Sequence, residues 1–401
     1  MKDYLEVYAD NAATTRVSKT AVDAMLPLLH EEYGNPSSLY TKGQIAAEKL
    51  AEARMKVGEL LGAADPMREI TFTSGGSEAD NQAIVSAAML GMKQGKKHLI
   101  STKFEHHAVL HTLDALEKRG FEITLLDVHE NGVVTVEDLR AALREDTALV
   151  TIMMVNNEIG TLQPIKELAA ICKEKNVLFH TDAVQSTGHM HIDVQDLGVD
   201  MLSFSGHKFN APKGVGGFYA RKGIKLSNII EGGAQERGKR GGTENMAGIV
   251  AMAAALEEAV SMIDSETERH VKMRDRLIES ISKIPHSKLN GDRMQRNAST
   301  VNFCFEGIEG ESLLLMLDSK GISASSGSAC TSGSLDPSHV LLSLGLPHEV
   351  AHGSLRLSLG RYNTEEDIDH IIYWVPKVVE KLREMSPLWE DLEKGKTPHL
   401  I

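Results

Sequence analysis

Cysteine, aromatic residues and long apolar runs are all scarce in this sequence, and each scarcity excludes a class of protein. The 401 residues include only three cysteines, which is too few for a disulfide framework, and no C-x-x-C pair offers a metal site. No run of about 18 apolar residues occurs, so no membrane span is expected. Acidic residues (56) outnumber basic ones (43), and the net charge of −13 opposes binding to nucleic acid.

The rest of the composition is that of an ordinary globular protein, with 42% apolar and 25% charged residues. A chain of this length is expected to form two domains. The N-terminal stretch MKDYLEVYADNAATT carries acids where a signal peptide needs a basic and then an apolar segment. Together with the sparse cysteines, this predicts a cytoplasmic protein.

Short β-rich runs alternate with helical patterns between about residues 70 and 220, which predicts an α/β domain with a mainly parallel sheet of seven strands. The runs are EITFTS, HLIST, FEITLLDV, ALVTIMMV, VLFHTD, DMLSFS and VGGFYA, and helices are expected at residues 78–94 and 165–175. Such sheets bind ligands beyond the carboxyl ends of their strands. The residues that follow each run are therefore the candidates for a site.

A change of composition near residue 260 indicates a domain boundary. There the small and apolar GGTENMAGIVAMAAALEEAVSMI gives way to the charged helical DSETERHVKMRDRLIESISKI. We expect a large domain at residues 16–260 and a smaller α+β C-terminal domain at 261–401. The small domain has predicted strands near 300–305 and 356–358 and predicted helices near 311–318 and 365–385. Residues 1–15 are expected to pack with the small domain.

Two strand ends supply glycine, hydroxyl and imidazole groups. Gly76 and Ser77 open a helix whose free N–H groups and positive dipole end favour an anion, although the same residues also suit an ordinary helix N-cap. His106 follows the next strand and is a site candidate. His107 and His111 are four residues apart and could face a metal, but two histidines without a third ligand are also typical of a helix surface.

Two further strand ends supply a carboxylate and an amine. Asp182 ends an apolar strand, where an unpaired charge would be costly, and Gln185 follows it three residues later. Acids at strand ends also cap helices, so this position alone leaves its role open. Lys208 reaches the same edge of the sheet in SFSGHKFNAPKGVGG, among small and hydroxyl residues that permit close approach to a ligand.

Pyridoxal 5′-phosphate would use all of these groups. This cofactor needs a lysine amine that bonds to its aldehyde, a carboxylate beside its ring nitrogen, a phosphate cradle and a flat group stacked on its ring. Lys208, Asp182, Gly76 with Ser77, and His106 would fill these roles in that order.

The sequence closely resembles the cysteine desulfurases of the NifS and IscS type, which are pyridoxal phosphate enzymes of the class V aminotransferase family with an aminotransferase-like fold. The resemblance rests on many motifs in fixed order: YADNAATT, YGNPSS, TSGGSEADN, FEHHAVL, VNNEIGT, HTDAVQS, SFSGHK, GGAQERGKRGGTEN, SSGSACTSGS and LRLSLGR. It implies that Asn157 and Gln185 contact the cofactor near its phenolic oxygen, with Asn157 also touching substrate. It further implies that Arg356 holds the carboxylate of L-cysteine.

The same resemblance implies a phosphate site that two subunits build. Ser205 and His207 would join Ser77 around the phosphate. Thr243 would reach the phosphate bound by the other subunit, which implies a homodimer.

One cysteine stands apart from the other two. Cys304 and Cys172 have the apolar neighbours of buried structural thiols, whereas Cys330 lies in an uncharged, small and polar stretch, residues 321–335, that is expected to form a mobile loop. The resemblance assigns Cys330 as the residue that accepts sulfur, in the long-loop group of the family. Cys330 could instead be an incidental loop cysteine.

The predicted activity is therefore the conversion of L-cysteine to L-alanine with transfer of sulfur to Cys330 as a persulfide. In this scheme Lys208 moves the Cα proton, and His106 stacks on the ring and shuttles protons at the substrate thiol. An iron–sulfur cluster scaffold protein or another acceptor would then take the sulfur, and a metal would contact Cys330 only transiently, if a cluster were handed over. Two alternatives remain: an aminotransferase or lyase that needs no Cys330, and a non-catalytic sulfur carrier or scaffold.

Overall fold

A computed structural model describes residues 5–326 and 337–401, and a seven-stranded sheet lies at the centre of the molecule. After the N-terminal strand β1 (Val7–Tyr8), the sheet strands in chain order are β2 (Ile70–Thr73), β3 (His98–Thr102), β4 (Glu122–Leu126), β5 (Thr147–Thr151), β6 (Leu178–Asp182), β7 (Met201–Ser205) and β8 (Gly216–Ala220). Their spatial order is β2-β8-β7-β6-β5-β3-β4, and only β8 runs antiparallel to its neighbours. The predicted strands and the mainly parallel sheet are confirmed.

Helices cover both faces of this sheet. In chain order they are α1 (Lys19–His30), α2 (Thr41–Leu60), α3 (Pro66–Glu69), α4 (Gly76–Met92), α5 (His107–Glu117), α6 (Val136–Ala142), α7 (Ile165–Glu174), α8 (Val194–Leu197), α9 (Gln235–Gly238) and α10 (Met246–Ile281), with a single 3-10 turn at Gly206–Lys208. Successive strand residues enter opposite cores: Leu99 packs with α4 and α5, whereas Ile100 packs with α7 and α10. Burial on both faces explains why the strands read as continuous apolar runs.

The C-terminal part forms a second layer of sheet and helices. Its elements are β9 (Ser287–Leu289), β10 (Thr300–Phe305), α11 (Gly310–Asp318), β11 (Ile322–Ser323), α12 (His339–Ser343), α13 (His348–His352), β12 (Ser354–Ser358), α14 (Glu365–Glu384) and α15 (Pro387–Glu393). β10 lies between β12 and β9 in an antiparallel sheet. Strand β1 pairs with β11, and Val7 and Ala9 belong to the apolar core of this layer. The packing of residues 1–15 as a whole with the small domain stays a prediction.

Helix α10 is continuous through residue 260, where the composition changes. Its first half packs in the core of the large sheet through residues such as Leu256, and its second half packs in the other core through residues such as Leu277. The change of composition therefore accompanies a change of packing partner and no break in the helix. By length and composition α10 could cross a membrane, but 61% of its most apolar window is buried, as in the core helix of a globular protein. The division into two domains near this point stays a prediction.

A buried ion pair joins α2 to the loop at α9. Both guanidinium nitrogens Nη1 and Nη2 of Arg54 lie 2.7 Å from the carboxylate of Glu236, which also accepts a hydrogen bond from the Phe72 N–H. Both side chains are at most 5% exposed. Glu236 has a φ of 48°, a left-handed conformation that is unfavourable for this residue type and that the ion pair helps to hold.

We expect Arg54→Ala to lower the free energy of unfolding by about 3–5 kcal/mol, because it leaves the Glu236 carboxylate buried without its partner. Urea unfolding measures this change. The matched control is Lys56→Ala, which removes the exposed pair with Glu257 and is expected to cost less than about 1 kcal/mol. Equal losses in the two variants would contradict the assignment.

Candidate active site

A cavity of about 380 Å³ lies beyond the carboxyl ends of the central strands, where the residues after β2, β3, β5, β6 and β7 meet a residue of β12. It brings together most of the residues predicted as a site: Gly76, Ser77, His106, Asn157, Asp182, Gln185, Ser205, His207, Lys208 and Arg356. Thr243 is exposed and does not line this cavity. Cys330 lies outside the described residues.

Lys208 is held by main-chain oxygens of the N-terminal segment. Its Nζ donates to the carbonyl oxygens of Ala12 at 2.5 Å and Ala13 at 2.9 Å. The Gln185 amide donates to the same Ala12 oxygen at 3.0 Å. Sequence reasoning missed these alanines as site residues, because a carbonyl contact leaves no signal in the side chain. Their position in the YADNAATT motif was the only pointer.

Two buried carboxyls lie at the floor of the cavity. Asp182, at the end of β6, accepts a hydrogen bond from the Val184 N–H at 2.8 Å. Burial raises the pKa of Asp182 to about 6, while the Val184 N–H and the Lys208 amine act in the opposite direction. Asp80, the fifth residue of α4, also lines the cavity and was missed. Burial first, and the charge of Asp182 second, raise the pKa of Asp80 well above its ordinary value.

The start of α4 forms an open cradle. The N-cap residue is Gly75, and no side chain caps the first turn, so the interpretation of Ser77 as an ordinary N-cap is wrong. A Cβ added at Gly76 would lie 2.7 Å from Cγ2 of Val184, so a larger residue here would require that side chain to shift. The free N–H groups of a helix of this length suit an anion.

His207 borders the same cradle and bonds to the hydroxyl of Thr14 at 3.1 Å through Nδ1. Burial, and then the neighbouring amines of Lys208 and Lys213, lower the pKa of His207 to about 4. The ring is therefore neutral at neutral pH unless an anion binds beside it.

His106 is the N-cap of α5 and lines the cavity. Its Nδ1 accepts a hydrogen bond from the Ala108 N–H at 3.1 Å, so the neutral ring carries its proton on Nε2. Burial, and then the charge of Lys208, lower the pKa of His106 to about 4. An uncharged flat ring is therefore presented at neutral pH. His107 and His111 do not line the cavity.

Arg356 lies opposite, in β12, and is 4% exposed. Its Nη1 donates to the Asn157 carbonyl at 3.0 Å and its Nη2 to the Asp10 carboxylate at 2.7 Å. Its Nε is buried and has no hydrogen-bond partner among the described residues. Asp10, which orients the guanidinium, was also missed from the sequence.

The two cysteines within the described residues are buried and inert. Burial raises the pKa of both the Cys172 and the Cys304 thiols to about 12, as expected for structural residues.

The residues on either side of residues 327–336 are hydrogen-bonded to the residues of the cavity or to their neighbours. Ser325 pairs with Arg356 through main-chain hydrogen bonds, and the Ser338 hydroxyl bonds to Glu158, the neighbour of Asn157.

Comparison with known proteins identifies the family. The sequence model of one family, aminotransferase class-V, matches residues 7–371. A curated relative, cysteine desulfurase IscS of Clostridium botulinum, is 54% identical over 394 residues, 98% of each chain. A solved NifS-like protein superposes with a TM-score of 0.88 at 37% identity over 94% of this chain and 100% of that one. The structure of SspA in complex with cysteine has a TM-score of 0.78 at 35% identity, over 89% of this chain and 100% of that one. The chain belongs to the class-V aminotransferase family and, within it, to the cysteine desulfurases.

Proposed function

We propose that the protein takes sulfur from L-cysteine with pyridoxal 5′-phosphate as its cofactor, leaves L-alanine, and carries the sulfur on Cys330. One observation carries this proposal. A single cavity joins the amine of Lys208, the buried carboxyl of Asp182, the open start of α4 and Arg356, whose Nε has no partner among the described residues.

The residues of the cavity fit this cofactor. The space at Gly76 and the uncapped first turn of α4 suit a phosphate, with the Ser77 and Ser205 hydroxyls and His207 beside it. Asp182 offers a carboxyl for the ring nitrogen, and Gln185 and Asn157 also line the cavity. When bound, pyridoxal phosphate bonds to amino groups through its aldehyde and withdraws electrons from the substrate Cα.

The chain's own residues bind the substrate and move its proton. The Nε donor of Arg356 holds the substrate carboxylate. The ring of His106 is neutral and carries its proton on Nε2, so it offers one N–H donor in the cavity. The amine of Lys208, once released from the carbonyls of Ala12 and Ala13, removes the proton on Cα. The bound cysteine in the SspA structure supports an amino acid of this size as substrate.

Sulfur transfer is assigned to Cys330. Its thiolate forms a new S–S bond with the substrate sulfur, and the Cβ–S bond breaks. The carbon fragment keeps that electron pair and is protonated to alanine, so the enzyme thiol becomes a persulfide.

We further propose a homodimer in a reducing cytoplasm, with an iron–sulfur cluster scaffold protein or another acceptor taking the sulfur. Thr243 is exposed and outside its own cavity, as a residue that serves the partner's phosphate would be. Large apolar side chains are exposed on and after α1, which suits a surface covered by a second copy: Leu26, Leu29, Tyr33, Leu39 and Tyr40.

The test is to incubate the purified protein, loaded with pyridoxal phosphate, with L-cysteine and a thiol reductant, and to assay alanine and sulfide together. Equal amounts of both products are expected. A keto acid in place of alanine would indicate an aminotransferase, and no turnover with no bound cofactor would indicate a non-catalytic carrier.

Replacement of Arg356 tests the substrate site. We expect Arg356→Lys to lower kcat/KM for L-cysteine by about 10²-fold, mostly through KM, because lysine keeps the charge beside Asp10 but lacks the Nε donor assigned to the substrate carboxylate. Steady-state kinetics with measured cofactor content checks this. An unchanged KM in a variant that still binds cofactor would place the substrate carboxylate elsewhere.

A further inference from the structure

Asp80 is a buried carboxyl for which the mechanism above has no use. Asp80 is 1% exposed and lies one turn into α4. Together with Asp182 it lines the proposed cofactor cavity. Its Oδ1 is buried and has no hydrogen-bond partner within the described part of the chain. A buried charged oxygen without a partner is costly, so this atom requires an explanation.

The described groups around Asp80 supply no positive charge. Asp80 interacts with Asp182 on β6 and Glu105 before α5, and its carboxyl has a hydrogen bond from the hydroxyl of Ser203 on β7. His180 Nε2 is 3.7 Å from the free Oδ1, and that nitrogen is already bonded to Ser203 at 2.9 Å. Burial lowers the pKa of His180 to about 3, so this ring stays neutral.

Glu105 likewise supplies no positive charge that could balance an ionised Asp80. Its carboxyl is satisfied by the Met153 N–H and the Thr102 hydroxyl, and burial raises its pKa to about 8. Among the described residues, the cation that acts on this group of acids is Lys208, which acts on Asp182. Two interacting carboxyls in such surroundings cannot both ionise.

We infer that Asp80 is a positioning residue that shares one proton with Asp182, so that the two carboxyls together present a single negative charge to the ring nitrogen of the cofactor. In this arrangement the proton makes Asp80 the donor and the Asp182 carboxylate the acceptor. Asp182 is thereby held in one orientation and stays available to a protonated ring. The part that concerns the ring rests on the proposed function, whereas the shared proton belongs to the chain alone.

The shared proton is tested on the cofactor-free protein. A carboxyl whose pKa is raised by folding destabilises the folded state progressively as pH rises above its unfolded value. Asp80→Asn is therefore expected to raise Tm by about 3 °C at about pH 8 and to leave Tm unchanged at about pH 4. Asp182→Asn is expected to do the same, and the double variant to gain no more than either one.

Additive gains, or a gain that does not depend on pH, would overturn the shared proton. Glu158→Gln is the matched control, since Glu158 is another buried acid, bonded to Ser338, with a pKa raised by burial to about 7. Its effect on Tm is expected to add to that of Asp182→Asn.

The positioning role is tested by titrating each cofactor-free variant with pyridoxal phosphate and following its absorbance. Asp80→Asn keeps a donor toward Asp182 and should bind within about threefold of the wild type, whereas Asp80→Leu should bind at least about tenfold more weakly. Wild-type affinity in Asp80→Leu would overturn this role. If the wild type itself fails to bind, the proposed function fails, and the Tm comparison still reports on the proton.

Discussion

The Lys208→Ala variant is expected to lose both alanine and sulfide production from L-cysteine by about 10³-fold or more. This variant removes both the amine proposed to bond the cofactor and the base proposed to take the Cα proton, and no second amine lines the cavity within the described residues. Coupled assays of alanine and sulfide measure the loss. Binding of pyridoxal phosphate, measured by dialysis, should weaken but persist through the phosphate cradle.

Lys213→Ala is the matched control, because Lys213 lies in the same loop, is exposed and does not line the cavity. It is expected to keep activity within about threefold. A Lys208→Ala protein that produced alanine near the wild-type rate would remove the proposed chemistry altogether.

Cys330→Ala is expected to reduce sulfide release by about 10³-fold while the protein still binds its cofactor and L-cysteine. The remaining cysteines within the described residues cannot substitute, since burial gives both thiols a pKa of about 12 and keeps them from the solvent. Radiolabelled sulfur from L-cysteine should remain on the wild-type protein after denaturation, release on reduction, and be absent from the variant.

Cys172→Ala serves as the control, because it removes a buried thiol on α7 and should lower stability without changing the rate of sulfide release. If Cys330→Ala released sulfide like the wild type, a lyase that expels sulfide directly would replace the proposed mechanism.

The strand ends show why so much of the site was predictable. Asp182, Lys208 and His106 are far apart in the chain, yet each follows an apolar strand, and parallel strands place their carboxyl ends on one edge. The alternation of strands and helices was therefore enough to bring these side chains together. The roles of Asn157, Gln185, Ser205, His207, Thr243, Arg356 and Cys330 depended on resemblance to a family, and they remain predictions.

The residues that sequence reasoning missed share one property: their role depends on contacts across the fold. Ala12 and Ala13 act through carbonyl oxygens, and Asp10 acts by pairing with Arg356, which is 346 positions away. In the sequence Asp80 resembles an ordinary helix residue, because its burial results from packing against β6 and β7. Likewise, the change of composition at residue 260 suggested a boundary, but α10 continues through it because each half packs on a different core.

By itself the sequence determined the α/β class, the seven strands and the edge of the sheet at which chemistry takes place, because strand patterns and their order are local properties of the chain. Tertiary structure alone decided which polar groups are buried together and which of them lack a partner. Those facts determine the pKa of Asp182, the neutral ring of His106 and the lack of a partner for Arg356 Nε among the described residues. Desolvation and pairing depend on what surrounds an atom in space, and no short stretch of sequence contains that information.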